Sequence, residues 1–150
     1  MPITLKELTN TINSLPNNKT PGPDGLTYEF YKKFININGP LIISFFNKIL
    51  NTANIPDSWR ESVTILILKK SNEKHLIQNW RSISLTNTDY KIFTKILANR
   101  LNNNIIQKII ESHQNSFVKN RSIINNLLNI EALLSHYDRK LNNGILLFLD

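Results

Sequence analysis

Apolar residues recur along this chain in two rhythms, one helical and one alternating, and punctuation by proline, glycine and small polar residues separates them. Thr4 and Glu7 have the spacing of a capping box, which predicts a helix from Leu5 to about Leu15 that Pro16 ends. The stretch NNKTPGPDG at 17–25 predicts a rigid loop in which Pro21 and Pro23 fix φ and Gly22 and Gly25 admit positive φ. A short aromatic helix is expected at LTYEFYKKF, 26–34. A separate one is expected to open at Gly39-Pro40, since proline suits a first helical position. Leu41, Phe45, Phe46 and Ile49 give that second helix an apolar face, and it should stop before Asn54-Ile55-Pro56.

SVTILIL at 62–68 is rich in β-branched residues and WRSISLT at 80–86 alternates. Together they predict a hairpin with Lys69, Lys70 and Lys74 at its polar tip. From Thr88 the pattern turns helical. Ile92, Phe93, Ile96, Leu97, Leu101, Ile105 and Ile109 recur three and four apart, with an end near Ile110. After a connector at 112–122, Ser122 is placed to cap a second long helix striped by Ile123, Leu127, Ile130, Leu134, Tyr137 and Leu141. A turn at Asn142-Asn143-Gly144 leads into ILLFL, which reads as a strand buried on both faces and ends on Asp150. The expected class is α+β and helix-rich, without repeats or a linker of domain-boundary composition.

Composition narrows the picture. The 150 residues are 41% hydrophobic and 19% charged, enough for a buried core and too apolar for a disordered chain. The formal net charge of +7 favours polyanions, nucleic acid or anionic membrane. The chain has no cysteine, which excludes disulfides and thiolate metal sites, and His75, His113 and His136 match no metal-ligand spacing. MPITLKEL is no secretory leader, and LIISFF at 41–46 is too short to cross a bilayer, so a soluble intracellular protein with no membrane partner is expected. Asparagine is the commonest residue, which a bias toward AT-rich codons explains as well as function does.

Five stretches, in this order, resemble a reverse transcriptase of the non-LTR, LINE-type retrotransposons. They are KTPGPDGLTYEFYKKF (19–34), IPDSWRESVTILILKK (55–70), NWRSISLTNTDYKIFTKILANRL (79–101), HQNSFVKNRSIINNL (113–127) and the strand GILLFLD (144–150). The resemblance implies part of a right-hand polymerase fold: a helical N-terminal extension at 1–60, fingers at 61–143 and the first palm strand at 144–150. It implies that Asp150 is the first catalytic carboxylate and a magnesium ligand. Arg81, and a lysine that is either Lys69 or Lys70, would meet the phosphates of an incoming nucleotide, where a guanidinium fork binds oxygens in pairs. Lys19, Lys91, Lys95, Arg100 and Arg121 would touch an RNA template or DNA primer. Ordinary surface charge is the competing reading for each lysine.

The family places an aspartate pair, the rest of the palm and the thumb elsewhere, and these segments are not among the 150 residues. Two Mg²⁺ ions need several carboxylates at one place, so these residues alone are expected to be inactive. Three positions depart from the family pattern: Asn120 stands for its glycine, Ser82 for its proline and Trp80 for its tyrosine. The competing function is a small basic module that binds RNA or DNA without catalysis.

Overall fold

The structure is a computed structural model that describes residues 1–69, 73–111, 113–116, 118 and 120–140. Lys70, Leu141 and the whole of the expected strand 144–150, Asp150 included, lie outside the described residues. The chain divides into two compact units, Met1–Ala98 and Asn99–Asp150.

In the first unit, α1 spans Leu5–Ser14 and starts as expected, the Thr4 hydroxyl accepting the Glu7 N–H at 3.3 Å. Helix α2 spans Tyr28–Thr52, with Pro40 inside it. The expected break at Gly39-Pro40 is therefore absent, and one helix replaces two. Proline removes one helical N–H and crowds the carbonyl four residues back, here that of Asn36. Both Pro40 and Asn36 are exposed, so water can take up the freed carbonyl. The helix ends at Ala53, which adopts the left-handed conformation at φ +53° and donates its N–H to the Ile49 carbonyl at 2.8 Å.

The antiparallel pair β1 (Val63–Leu68) and β2 (Trp80–Leu85) follows, in the register Val63↔Leu85, Ile65↔Ile83, Ile67↔Arg81. Helix α3, Thr88–Leu101, closes the unit. Its core joins Ile3, Leu8 and Ile12 to Tyr31, Phe46 and Ile49 of α2 and Ile92, Phe93 and Ile96 of α3. Trp59, on the turn between α2 and β1, sits in the centre of an aromatic cluster. Its ring lies 5.1 Å from Phe93, 5.3 Å from Tyr90 and 5.8 Å from Phe45, mostly edge to face. The start of the chain is fastened to this core by one side chain. The Asn47 amide accepts the Ile3 N–H at 2.6 Å and donates to the Ile3 carbonyl at 3.1 Å, so a buried residue next to a terminus keeps both backbone groups bonded.

In the second unit, the long helical run breaks into a π-helical turn at Asn102–Ile106 and the short α4 at Gln107–Ile109, ending near Ile110 as the periodicity predicts. Helix α5 spans Ile124–Lys140, and the Ser122 hydroxyl accepts the Ile124 N–H at 3.3 Å. Its stripe is not a core face: Leu127, Leu134 and Tyr137 are 61%, 51% and 46% exposed.

Candidate functional site

The hairpin carries the cations named for nucleotide contact. Residues paired directly across two strands share a face, and faces alternate along each strand. Val63, Ile65, Ile67, Ile83, Leu85 and Arg81 therefore lie on one face, while Thr64, Leu66, Leu68, Trp80, Ser82 and Ser84 lie on the other. The pairing continues one step past the ladder, where the Lys69 N–H donates to the Asn79 carbonyl at 2.7 Å. Lys69 thus falls on the same face as Arg81, two residues beyond Ile67. Both strands are largely exposed, with Ile65 38%, Ile67 45% and Ile83 41% accessible. The result is an aliphatic ribbon with a positive end.

The tip is held by local bonds. The Trp80 indole donates to the Lys74 carbonyl at 2.9 Å, and the Asn79 amide donates to the Glu73 carbonyl at 2.9 Å. The Lys69 ammonium donates to the Gln78 carbonyl at 2.6 Å, and its other two protons make no bond among the described residues. Arg81 is exposed and makes no hydrogen bond or ion pair among the described residues.

The other named cations are more scattered. Lys19 is exposed in the proline-glycine loop. Lys91 turns back onto that loop, donating to the Thr20 carbonyl at 3.3 Å; burial lowers its pKa and Asp24 partly opposes the shift. Lys95 is exposed one turn further along α3. At about 100° per residue, Arg100 lies roughly 140° around the helix from Lys95, so α3 brings two of the three to one side. Arg121 is engaged by backbone. Its guanidinium donates to the carbonyls of Glu111 at 2.5 Å, Gln114 at 2.7 Å and Ile110 at 3.3 Å. The family resemblance implies a nucleic-acid contact there, and the sequence gives no sign of this carbonyl cradle. Next to it, Asn120 holds φ +65°, the left-handed turn that its substitution for glycine permits.

The loop beside the hairpin is rigid for a reason only half visible in sequence. Gly25 has φ +71°, as expected. Gly22 does not have positive φ; it is small because a Cβ there would overlap the backbone nitrogen and Oδ1 of Asn87. Gly25 donates its N–H to the Gly22 carbonyl at 3.1 Å, and the Asp24 carboxylate accepts the Leu26 N–H at 3.0 Å. The Asn87 amide accepts the Asp24 N–H at 3.2 Å and donates to the Ser58 carbonyl at 3.1 Å. The Thr88 hydroxyl donates to the Leu26 carbonyl at 2.5 Å. Asn-Thr-Asp at 87–89 was legible only as the boundary between strand and helix; three small polar residues before a helical run were its one sign.

Among the described residues no three His, Asp or Glu side chains gather as a metal site, and no helix is long and apolar enough to cross a membrane. His113 pairs with the nearby Glu111 at 3.1 Å on the surface.

The chain is homologous to the RNA-directed DNA polymerases of non-LTR transposable elements. It is 38% identical over 139 residues to the transposon TX1 uncharacterized 149 kDa protein of Xenopus laevis. It is 27% identical over 142 residues to a probable RNA-directed DNA polymerase from transposon BS of Drosophila melanogaster. These matches cover 93% of this chain and only 10% and 16% of the relatives. A third, 28% identical over 99 residues, is the RNA-directed DNA polymerase from the mobile element jockey of the same fly, of which 11% is covered. No protein-family profile matches the chain.

Proposed function

We propose that these 150 residues form the N-terminal extension (1–60), fingers (61–143) and first palm strand (144–150) of a non-LTR reverse transcriptase. The hairpin is the flap that meets an incoming nucleotide. Lys69 and Arg81 bind its triphosphate, and Lys19, Lys91 and Lys95 lie along the path of the RNA template and DNA primer. The observation that carries the reading is the placement of Lys69 and Arg81 on one exposed face of β1–β2, within a stretch homologous to named polymerases. Two cations on one face can grip adjacent phosphate oxygens; on opposite faces they could not.

Magnesium enters this reading through Asp150. When bound, it would activate a primer hydroxyl and stabilise the leaving pyrophosphate. Among the described residues no three His, Asp or Glu side chains gather to hold it, and Asp150 lies outside them.

Titration of the purified chain with a deoxynucleoside triphosphate tests the proposal. Arg81→Ala and Lys69→Ala should each weaken binding about tenfold, the loss of one or two charge-assisted bonds. Template–primer binding should fall steeply with added salt as counterions are released. Nucleotide binding indifferent to both substitutions would refute the flap. Primer extension by the 150-residue chain is expected to be absent, and its appearance would overturn the assignment of catalysis to carboxylates outside these residues.

A further inference from the structure

We propose that Asn87 is the positioning residue of the hairpin, setting the direction in which Lys69 and Arg81 are presented. Three segments meet at its side chain, all within the first unit. One is the loop at 22–25, through the Asp24 N–H. The second is the root of β1, through the Ser58 carbonyl five residues before Val63. The third is the root of β2, because Asn87 itself stands two residues after Leu85.

A two-stranded ribbon exposed on both faces has little packing of its own to fix its direction. Its two roots must therefore aim it. Neighbouring bonds do different work. Trp59 and Asp89 join the same two regions through a side chain in the core rather than through backbone, and Thr88 ties the loop to α3 without touching either strand root. Among the described residues, only Asn87 bonds the backbone leading into β1 while being part of the backbone leaving β2.

The chemistry at this point requires asparagine. One side-chain atom must accept from an N–H and the other must donate to a carbonyl, which a carboxylate cannot do. Asn87 is 6% exposed, so a lost bond is not replaced freely by water. Gly22 closes the space around it, its absent Cβ leaving room for the amide.

The functional half of this inference rests on the phosphate-gripping reading of Lys69 and Arg81; the geometric half does not. The chain has no cysteine, so spin labels can be placed at Ser82→Cys on the hairpin and Asn51→Cys on α2, both exposed. The Asn87 background should give one narrow distance distribution. Asn87→Ala and the near-isosteric Asn87→Asp should broaden it about twofold or more by freeing the β1 root from Ser58, with the near-ultraviolet dichroism of the Trp59 cluster retained. The aspartate variant keeps the acceptor for Asp24 and serves where the alanine variant does not fold. An unchanged distribution in either folded variant overturns the proposal.

Titration with inorganic triphosphate separates the two halves. Both Asn87 variants should bind it more weakly, in the same direction as Arg81→Ala. If Arg81→Ala weakens binding and the Asn87 variants do not, the positioning role is refuted. If Arg81→Ala and Lys69→Ala have no effect, the flap reading fails, and the distance distributions still decide whether Asn87 aims the hairpin.

Discussion

The indole N–H of Trp59 donates to the Asp89 carboxylate at 2.8 Å, joining the turn before β1 to the first turn of α3. The other oxygen of Asp89 accepts the Tyr90 N–H at 2.7 Å. Trp59→Phe keeps an aromatic ring in the cluster while removing the donor and part of the indole's packing. It should cost about 1.5–3 kcal/mol, the range for a hydrogen bond to a charged group. Trp59→Ala also empties the centre of the cluster and should cost about 3–5 kcal/mol. Urea denaturation of the three proteins checks the order, and a Trp59→Phe protein as stable as the parent would show that the indole N–H contributes nothing.

Gly22 and Gly25 should fail differently. Gly25→Ala meets open space and suffers only its positive φ, about 1–2 kcal/mol, and Gly25→Asn should recover much of that. Gly22→Ala and Gly22→Asn both drive atoms into the Asn87 backbone and should be destabilising alike. Melting temperatures of the four variants distinguish a conformational requirement from a steric one.

Ala53 bears the opposite strain. It holds φ +53° at the end of α2, where glycine has no Cβ penalty. Ala53→Gly should raise stability by about 1 kcal/mol, offset in part by the entropy of the unfolded glycine. A lower melting temperature would contradict the conformation of this cap.

Glu29 predicts an acid response. Its carboxylate accepts the Asn18 N–H at 2.5 Å, and that bond, its own N–H and the Thr27 hydroxyl lower its pKa. A carboxyl held below its unfolded value stabilises the fold above about pH 4.5 and loses that contribution as pH falls through the folded pKa. Acid unfolding of Glu29→Gln should therefore show a smaller pH dependence below pH 4.5 than the parent. Identical acid titrations of stability would rule the linkage out.

Arg121 should be needed for local order rather than for global stability. Arg121→Lys offers one ammonium where a planar fork reaches three carbonyls, so Lys should rescue little. Hydrogen exchange is expected to rise at 110–116 in both Arg121→Lys and Arg121→Ala, and protection retained in the lysine variant would deny the role of the fork.

The helices and the hairpin were legible because their apolar periods are long and their ends are marked by Thr4, Ser122 and the prolines. Pro40 misled because burial of Tyr31, Phe46 and Ile49 along one side of α2 outweighs the loss of one exposed backbone bond. The shared face of Lys69 and Arg81 was not legible. Alternation cannot be counted through the polar sequence between the two strands, and the register Ile67↔Arg81 with the Lys69–Asn79 bond decides it. A codon bias, which explains the abundance of asparagine as well as function does, says nothing of what individual residues do. Asn47 and Asn87 each bracket backbone by accepting and donating at once, and Asn120 supplies a left-handed turn.

The tie at Asn87 also makes a closed ring of the chain from Asp24 to Ser58, with α2 as its stave. The two cords, four residues before the helix and six after, are themselves folded: Asp24 turns back onto the Leu26 N–H, Ala53 is left-handed, and Asp57–Trp59 is a single helical turn. A residue added to or removed from either cord would therefore act on the far side of the ring as well, through the amide's bonds to Asp24 and Ser58.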